Sequence, residues 1–194
     1  MCIIAIKPKG VEFPPIQLIK NCLDRNPDGF AIAHNEDGEV KVFKTMNKRK
    51  ALEYYTELME RCDPAASAVV LHARIATHGS KNINNCHLWT KNGVTFAHNG
   101  IMRDFEDKIG DRTDSQVFFE ETFLPAFRQN PHYAFAMARA VAREYNSRFV
   151  FLGKNGAVVH LGDSWYQAHG CLFSNLSFRD YETDSLFKSR LNLR

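Results

Sequence analysis

The second residue is a cysteine, in the opening Met1-Cys2-Ile3-Ile4-Ala5-Ile6. Initiator methionine is removed when the next side chain is small, so a processed chain would begin with Cys2. That residue would carry a thiol and a free α-amino group on adjacent carbons. A free α-amine has a pKa of about 7.7–8.0 and a free thiol about 8.5. The amine can therefore take the thiol proton near neutral pH, directly or through a water. Nucleophile and base then come in one residue. Position alone favours a plainer reading, a small buried hydrophobe at the start of a strand. Segments further along reverse that balance.

Three polar segments fall at strand ends or in loops, where function concentrates. In Leu71-His72-Ala73-Arg74-Ile75-Ala76-Thr77-His78-Gly79, Arg74 follows a buried strand and offers a fixed fork for a carboxylate. A structural ion pair would use the same residue. In Phe96-Ala97-His98-Asn99-Gly100, Asn99 supplies an amide donor and Gly100 an unobstructed N–H. Two donors aimed at one point make an oxyanion hole, although Asn-Gly is also a common turn. In Thr113-Asp114-Ser115-Gln116, Thr113 would cap a helix and Asp114 would sit at its first position. That carboxylate could hold a substrate ammonium or only complement the helix dipole. Together the segments supply a nucleophile, an oxyanion hole and clamps for a carboxylate and an ammonium. Those parts suit attack on a carbonyl carried by a free α-amino acid.

The elements that must position these residues alternate irregularly. Cys2 to Ile6 reads as a buried strand, and Pro14-Pro15 opens a short helix with Ile16, Ile19 and Leu23 on one face. Asn26-Pro27-Asp28-Gly29 is a turn. A hairpin is expected over Phe30 to Phe43, turning at Glu36-Asp37-Gly38. A helix from Lys48 carries Ala51, Leu52, Tyr55, Leu58, Met59 and Cys62 in one stripe and stops at Asp63-Pro64. Strands follow at Ser67 to Ala73 and Val94 to Ala97. Thr113 and Gln116 suggest a capping box for a helix to Leu124, ended or interrupted by Pro125. A further helix has Ala134, Ala138, Val141 and Tyr145 on one face. Short strands at Phe149 to Leu152, Ala157 to Leu161, Trp165 to Ala168 and Cys171 to Phe173 complete the chain. Recurrent hairpins and two consecutive helices argue for an α+β fold with antiparallel sheets, not a doubly wound parallel one.

With 194 residues, 44% of them hydrophobic and 24% charged, the chain is read as one domain over 1–194 with ample core. No apolar run is long enough for a membrane span, and no secretory leader is recognised. The net charge of +3 is too small and dispersed to argue for nucleic-acid binding. Lys48-Arg49-Lys50 reads as a solvated helix start, and the basic tail from Lys188 to Arg194 as exposed. Cys2, Cys22, Cys62, Cys86 and Cys171 are odd in number and scattered. No disulfide framework or cysteine metal site is expected, and a reducing, cytoplasmic setting fits best.

The same segments resemble, in order, the motifs of class II glutamine amidotransferases, members of the N-terminal nucleophile hydrolases. Asn26-Pro27-Asp28-Gly29-Phe30 is similar to an arginine-glycine-x-aspartate-glycine turn. His72 to Gly79 resembles a histidine-threonine-arginine-aromatic-(alanine/serine)-threonine-x-glycine signature. His98-Asn99-Gly100-Ile101 and Thr113-Asp114-Ser115-Gln116 resemble two further steps. The resemblance covers residues 2 to about 175. It implies a four-layer αββα sandwich, two antiparallel sheets between helical layers. It implies Cys2 as nucleophile, Asn99 and Gly100 as oxyanion hole, Arg74 on the glutamine α-carboxylate and Asp114 on its α-ammonium. Thr77 and His78 would line the pocket from a loop that closes over glutamine. No cofactor is implied.

The chain also departs from the pattern. Ile3 stands where glycine is usual, Ile75 where an aromatic is common, and Asn85-Cys86-His87-Leu88 lacks the usual proline. No synthase region follows, so the expected partner is a separate synthase or amidoligase protein that receives ammonia from glutamine, docked over Ile75 to Cys86. Three rival readings stand beside this one. The first is a free-standing amide hydrolase of the same fold, and the second a binding module that lost the reaction. The third is a metal site built from His72, His78, His87 and His98.

Overall fold

The computed structural model describes residues 1–77, 79–105 and 110–180. His78 and the basic tail from Lys188 therefore lie outside the described residues. The elements run in the order β1 (Ile3–Lys7), α1 (Ile16–Arg25), β2 (Phe30–Glu36), β3 (Glu39–Thr45), α2 (Lys48–Arg61) and β4 (Val69–Ala73). Then come β5 (Trp89–Lys91), β6 (Val94–Asn99), α3 (Asp114–Val117), α4 (Leu124–Gln129) and α5 (Pro131–Glu144). The last four are β7 (Arg148–Gly153), β8 (Val158–Leu161), β9 (Tyr166–Ala168) and β10 (Cys171–Phe173). A six-stranded sheet has the order β3-β2-β4-β1-β10-β9, and a four-stranded one β5-β6-β7-β8. Every pairing described is antiparallel. Among the described residues no helix is long and apolar enough to cross a membrane.

Side-chain alternation decides the layering. In β1, Ile3 and Ala5 join the core beneath α1 and α2, while Ile4 and Ile6 join a second core between the sheets. In β7, Phe149 and Phe151 face α3–α5, while Val150 and Leu152 face the other sheet. A strand covered on both faces has no polar face, which is why β1 and β4 are almost wholly apolar, with Lys7 and His72 as the buried exceptions. Three cores between four layers give the expected αββα sandwich. Each fully buried Ile, Leu, Val or Phe contributes roughly 1.5–3 kcal/mol.

The helical hairpin over the smaller sheet differs from expectation. Thr113 caps α3, its hydroxyl accepting from Gln116 N at 3.3 Å. The Gln116 side chain does not return to Thr113 but bonds Glu120 at 3.3 Å. The capping box is thus half made. The helix also runs past Leu124 to Gln129. A wide π turn spans Phe118–Phe123, with Leu124 N bonded to Phe119 O. Pro125 follows at once. A regular helix would drive the proline ring against the carbonyl four residues back, and the extra residue in the turn moves that carbonyl aside. Phe118 and Phe119 pack on Phe96 at 5.7 and 5.3 Å between ring centroids. They pin the start of α3, and Asp114 with it, to the smaller sheet. The strand at β5, which pairs Trp89 with Phe96, was not anticipated, because three residues carry no readable period.

Candidate active site

Strand register brings the first two site residues together. Ile3 pairs with Ala73, so Cys2 and Arg74 leave adjacent strand ends side by side. The Cys2 sulfur accepts from Ile75 N–H at 3.4 Å and reaches Ile75 O at 3.5 Å. The Cys2 carbonyl accepts from Asn175 Nδ2 at 2.6 Å. Burial pushes the thiol pKa up, while the Ile75 amide and the nearby Arg74 charge pull against it.

The other sheet supplies the opposite wall. Gly100 follows β6, and Asp114 is the first residue of α3. Cys2, Arg74, Thr77, Gly100 and Asp114 line one pocket, with Ile75, His87, His98, Thr113 and Ser115. Its free volume is about 30 Å³, room for a water or two but not for an amino acid.

Arg74 is 2% exposed. Its guanidinium donates to Ser80 O at 2.9 Å and to Gly79 O at 3.5 Å. Loop carbonyls thus occupy the fork on which a carboxylate would sit. The loop is anchored through Asp28, which accepts from Ala76 N at 3.0 Å and pairs with Lys81 at 2.7 Å. Lys81 first and the Ala76 amide second hold the Asp28 carboxyl below its ordinary pKa.

Asp114 is held from two sides. One oxygen accepts from Met102 N at 2.6 Å. The other accepts from Ser115 N at 2.6 Å and from the Ser115 hydroxyl at 3.0 Å. A carboxylate has about four acceptor positions, so capacity remains for one more donor.

Asn99 is 1% exposed and is not among the lining residues. Its Nδ2 donates to Ser174 Oγ at 2.8 Å, and its Oδ1 is buried with no partner among the described residues. Ser174 Oγ also accepts from Ile4 N at 2.8 Å, so its hydroxyl hydrogen remains available. Turning the amide over would let Ser174 donate to Oδ1 and leave Nδ2 as the free group. Ser174 and Asn175, which tie Asn99 and Cys2 to the end of β10, were not anticipated. Their signal, two polar residues directly after an apolar strand, is weak.

Three of the four histidines gather beside this pocket. His72 stacks on His87 with centroids 3.8 Å apart and planes 6° apart, and His87 Nδ1 accepts from His98 N at 3.2 Å. Burial lowers all three: His72 to about 3, His98 to about 4 and His87 well below its ordinary value. Among the described residues no group of three possible ligands is arranged to hold a metal ion.

The sequence pattern of the glutamine amidotransferases class-II family matches residues 6–160. The chain belongs to that family. The matched stretch holds Arg74, Thr77, Asn99, Gly100 and Asp114 and begins after Cys2. A Haemophilus influenzae protein, provisionally named a glutamine amidotransferase, is 32% identical over 123 residues, 56% of this chain and 41% of its own length. The glutamine–fructose-6-phosphate aminotransferase (isomerizing) of Caulobacter vibrioides is 33% identical over 92 residues, 47% of this chain and 15% of its own. The matches thus span less than half of either curated relative. Among solved structures, a glutamine aminotransferase class-II domain protein from Silicibacter pomeroyi aligns over 89% of this chain and 88% of its own. Its TM-score is 0.50 and its identity 16%, a likeness of fold. The class II family and the sandwich architecture expected from the motifs are therefore shown.

Proposed function

We propose that this class II glutamine amidotransferase domain hydrolyses glutamine through Cys2 and passes the ammonia to a synthase. With Met1 removed, the Cys2 amine takes the thiol proton and the thiolate attacks the δ-amide carbon. The tetrahedral oxyanion is held by Gly100 N–H and the turned-over Asn99 amide. Collapse expels ammonia, which carries away the proton held by the amine, and leaves a glutamyl thioester. Water then adds and glutamate leaves. Arg74 and Asp114 bind the two ends of the zwitterion, and Thr77 and His78 close the loop over it.

The observation that carries this reading is the convergence of Cys2, Arg74, Gly100 and Asp114, from both sheets and a helix start, on one small pocket. A simple amide would need neither charged clamp, which favours glutamine over a free-standing amide hydrolase. The closed pocket supports a loop that opens to admit glutamine, displacing the Ser80 and Gly79 carbonyls from Arg74.

Ammonia set free in water at neutral pH is mostly protonated and a poor nucleophile, so delivery under cover is required. We place the receiving synthase on a separate protein, in the cytoplasm, where a nucleophilic thiol stays reduced. An open cavity of about 660 Å³, lined by Asn82 to Asn85 of the loop and by Lys44, Trp89 and Arg112 among others, offers such a partner a place to meet it.

Intact mass of the purified protein, before and after a diazo-ketone analogue of glutamine, tests the chemistry. Met1 should be missing and one label should sit on Cys2; a label on Cys22, Cys62, Cys86 or Cys171 would overturn the assignment. Glutaminase activity that is complete without any copurifying protein would remove the partner.

A further inference from the structure

One buried histidine bonds into both halves of the site. His98 lies at the end of β6 and is 1% exposed. Its Nδ1 is 2.8 Å from Ser115 Oγ and its Nε2 is 3.0 Å from Ser147 Oγ. Ser115 Oγ in turn bonds Asp114 at 3.0 Å.

The directions of these bonds follow from Asp114. An ionised carboxylate only accepts, so the Ser115 hydroxyl donates to it. The Ser115 oxygen is then free to accept, and His98 Nδ1 must carry the hydrogen. Nε2 of the neutral ring is then left to accept, and the single Ser147 hydrogen goes to it at 3.0 Å rather than to Tyr145 O at 3.2 Å. The Nδ1–H tautomer thus satisfies Asp114, Ser115 and both nitrogens of His98 together.

The other end of the chain meets the oxyanion wall. A Cβ at Gly100 would run into Ser147 Oγ and lie 2.7 Å from His98 Nε2. The His98–Ser147 bond therefore fills the space a side chain at position 100 would need.

We propose that His98 is a positioning residue, held as the Nδ1–H tautomer, that orients the Asp114 carboxylate toward the substrate ammonium through Ser115. This inference rests on Asp114 being the ammonium clamp. It gives His98 no contact with substrate and no part in proton transfer to Cys2.

The test is glutamine kinetics on the full chain, with iodoacetamide alkylation of Cys2 as a reaction that needs no ammonium clamp. Ser115→Ala removes one hydroxyl and should raise KM for glutamine about 10-fold, the lower end of what a hydrogen bond to a charged group is worth. Its kcat and alkylation rate should stay within about twofold, and adding it to Asp114→Asn should cost nothing more. His98→Asn keeps a donor near the Nδ1 position and should bind glutamine better than His98→Gln, which does not. Imidazole ¹⁵N spectra should show a protonated Nδ1 and a bare Nε2 for His98.

An unchanged KM in Ser115→Ala, or the opposite tautomer, overturns the proposal while Asp114 keeps its role. An unchanged KM in Asp114→Asn sinks the ammonium clamp and this proposal together. Loss of kcat and of alkylation in step with KM would mean that Ser115 supports the fold only. Should both His98 variants fail to fold, Ser115→Ala and the wild-type spectrum still decide.

Discussion

The two walls of the pocket are built differently. On the Arg74 side a nearly buried guanidinium is held by carbonyls of its own loop, Ser80 at 2.9 Å and Gly79 at 3.5 Å. On the Asp114 side the carboxylate is fixed by Met102 N, Ser115 N and Ser115 Oγ, on a helix start pinned by Phe118 and Phe119. On the proposed reading the first wall exchanges partners to receive a ligand, while the second is prebuilt with acceptor capacity in reserve. Preorganised polar groups lose little on binding; groups that must change partner couple binding to a motion. Opening of the loop over residues 75–86 is therefore expected to be felt at the carboxylate end of an amino acid first.

The strongest perturbation should leave both walls intact and remove what they serve. Asn99→Ala should lower kcat for glutamine by roughly 100–1,000-fold with KM little changed, the loss of one oxyanion donor being about 2.7–4 kcal/mol. Normal turnover with weak binding would reduce Asn99 to a turn residue. A smaller effect should separate the walls. Arg74→Lys keeps the charge but loses the fork, and Asp114→Asn removes the counter-charge. Each should raise KM for glutamine about 10–100-fold, as expected for a hydrogen bond to a charged group. The stopped-flow binding rate should fall only in Arg74→Lys, since on the proposed reading only that wall exchanges partners. Equal changes in both variants would erase the distinction.

The buried histidines sharpen the comparison through pH. Their folded pKa values lie below the ordinary value near 6.5, at about 4 for His98 and about 3 for His72. The unfolded chain therefore binds their protons first. Stability is fully present above about pH 6.5 and falls as pH drops from there toward the folded values, by up to about 1.4 kcal/mol per pH unit for each histidine. Urea unfolding between pH 7.5 and 5 should show this slope, and His72→Phe should flatten it by up to one proton. An unaltered slope would mean that His72 titrates normally.

The smallest effect is reserved for the exposed anchor of the loop. Lys81→Ala breaks a pair whose lysine is 63% exposed, and such pairs contribute little. KM should change by less than about threefold. Asp28→Ala also frees Ala76 N and should change it more. The reverse order would place the anchor at Lys81.

Much of this architecture was readable because local physics and the fold agree. The Phe30–Thr45 hairpin, the α2 stripe and the Thr113 cap form where periodicity and turn chemistry place them. The helix past Pro125 was not readable. Its continuation depends on a π turn stabilised by aromatic packing, and no local propensity encodes that packing.

At the site, the sequence alone determined the chemical inventory: a second-position thiol, a fork at Arg74, Asn-Gly at a strand end, and a carboxylate at a helix start. These are properties of residue type and immediate neighbours. Tertiary structure decided which inventory members meet and in what state. The antiparallel register of β1 and β4 sets Cys2 beside Arg74. Sheet packing brings Gly100 and Asp114 to the same pocket and places Asn99 on Ser174. The His98–Ser115–Asp114 chain joins a strand end to a helix start and holds its ring neutral by burial. Distances between residues remote in sequence, and the dielectric around them, are set only when the sheets close on one another.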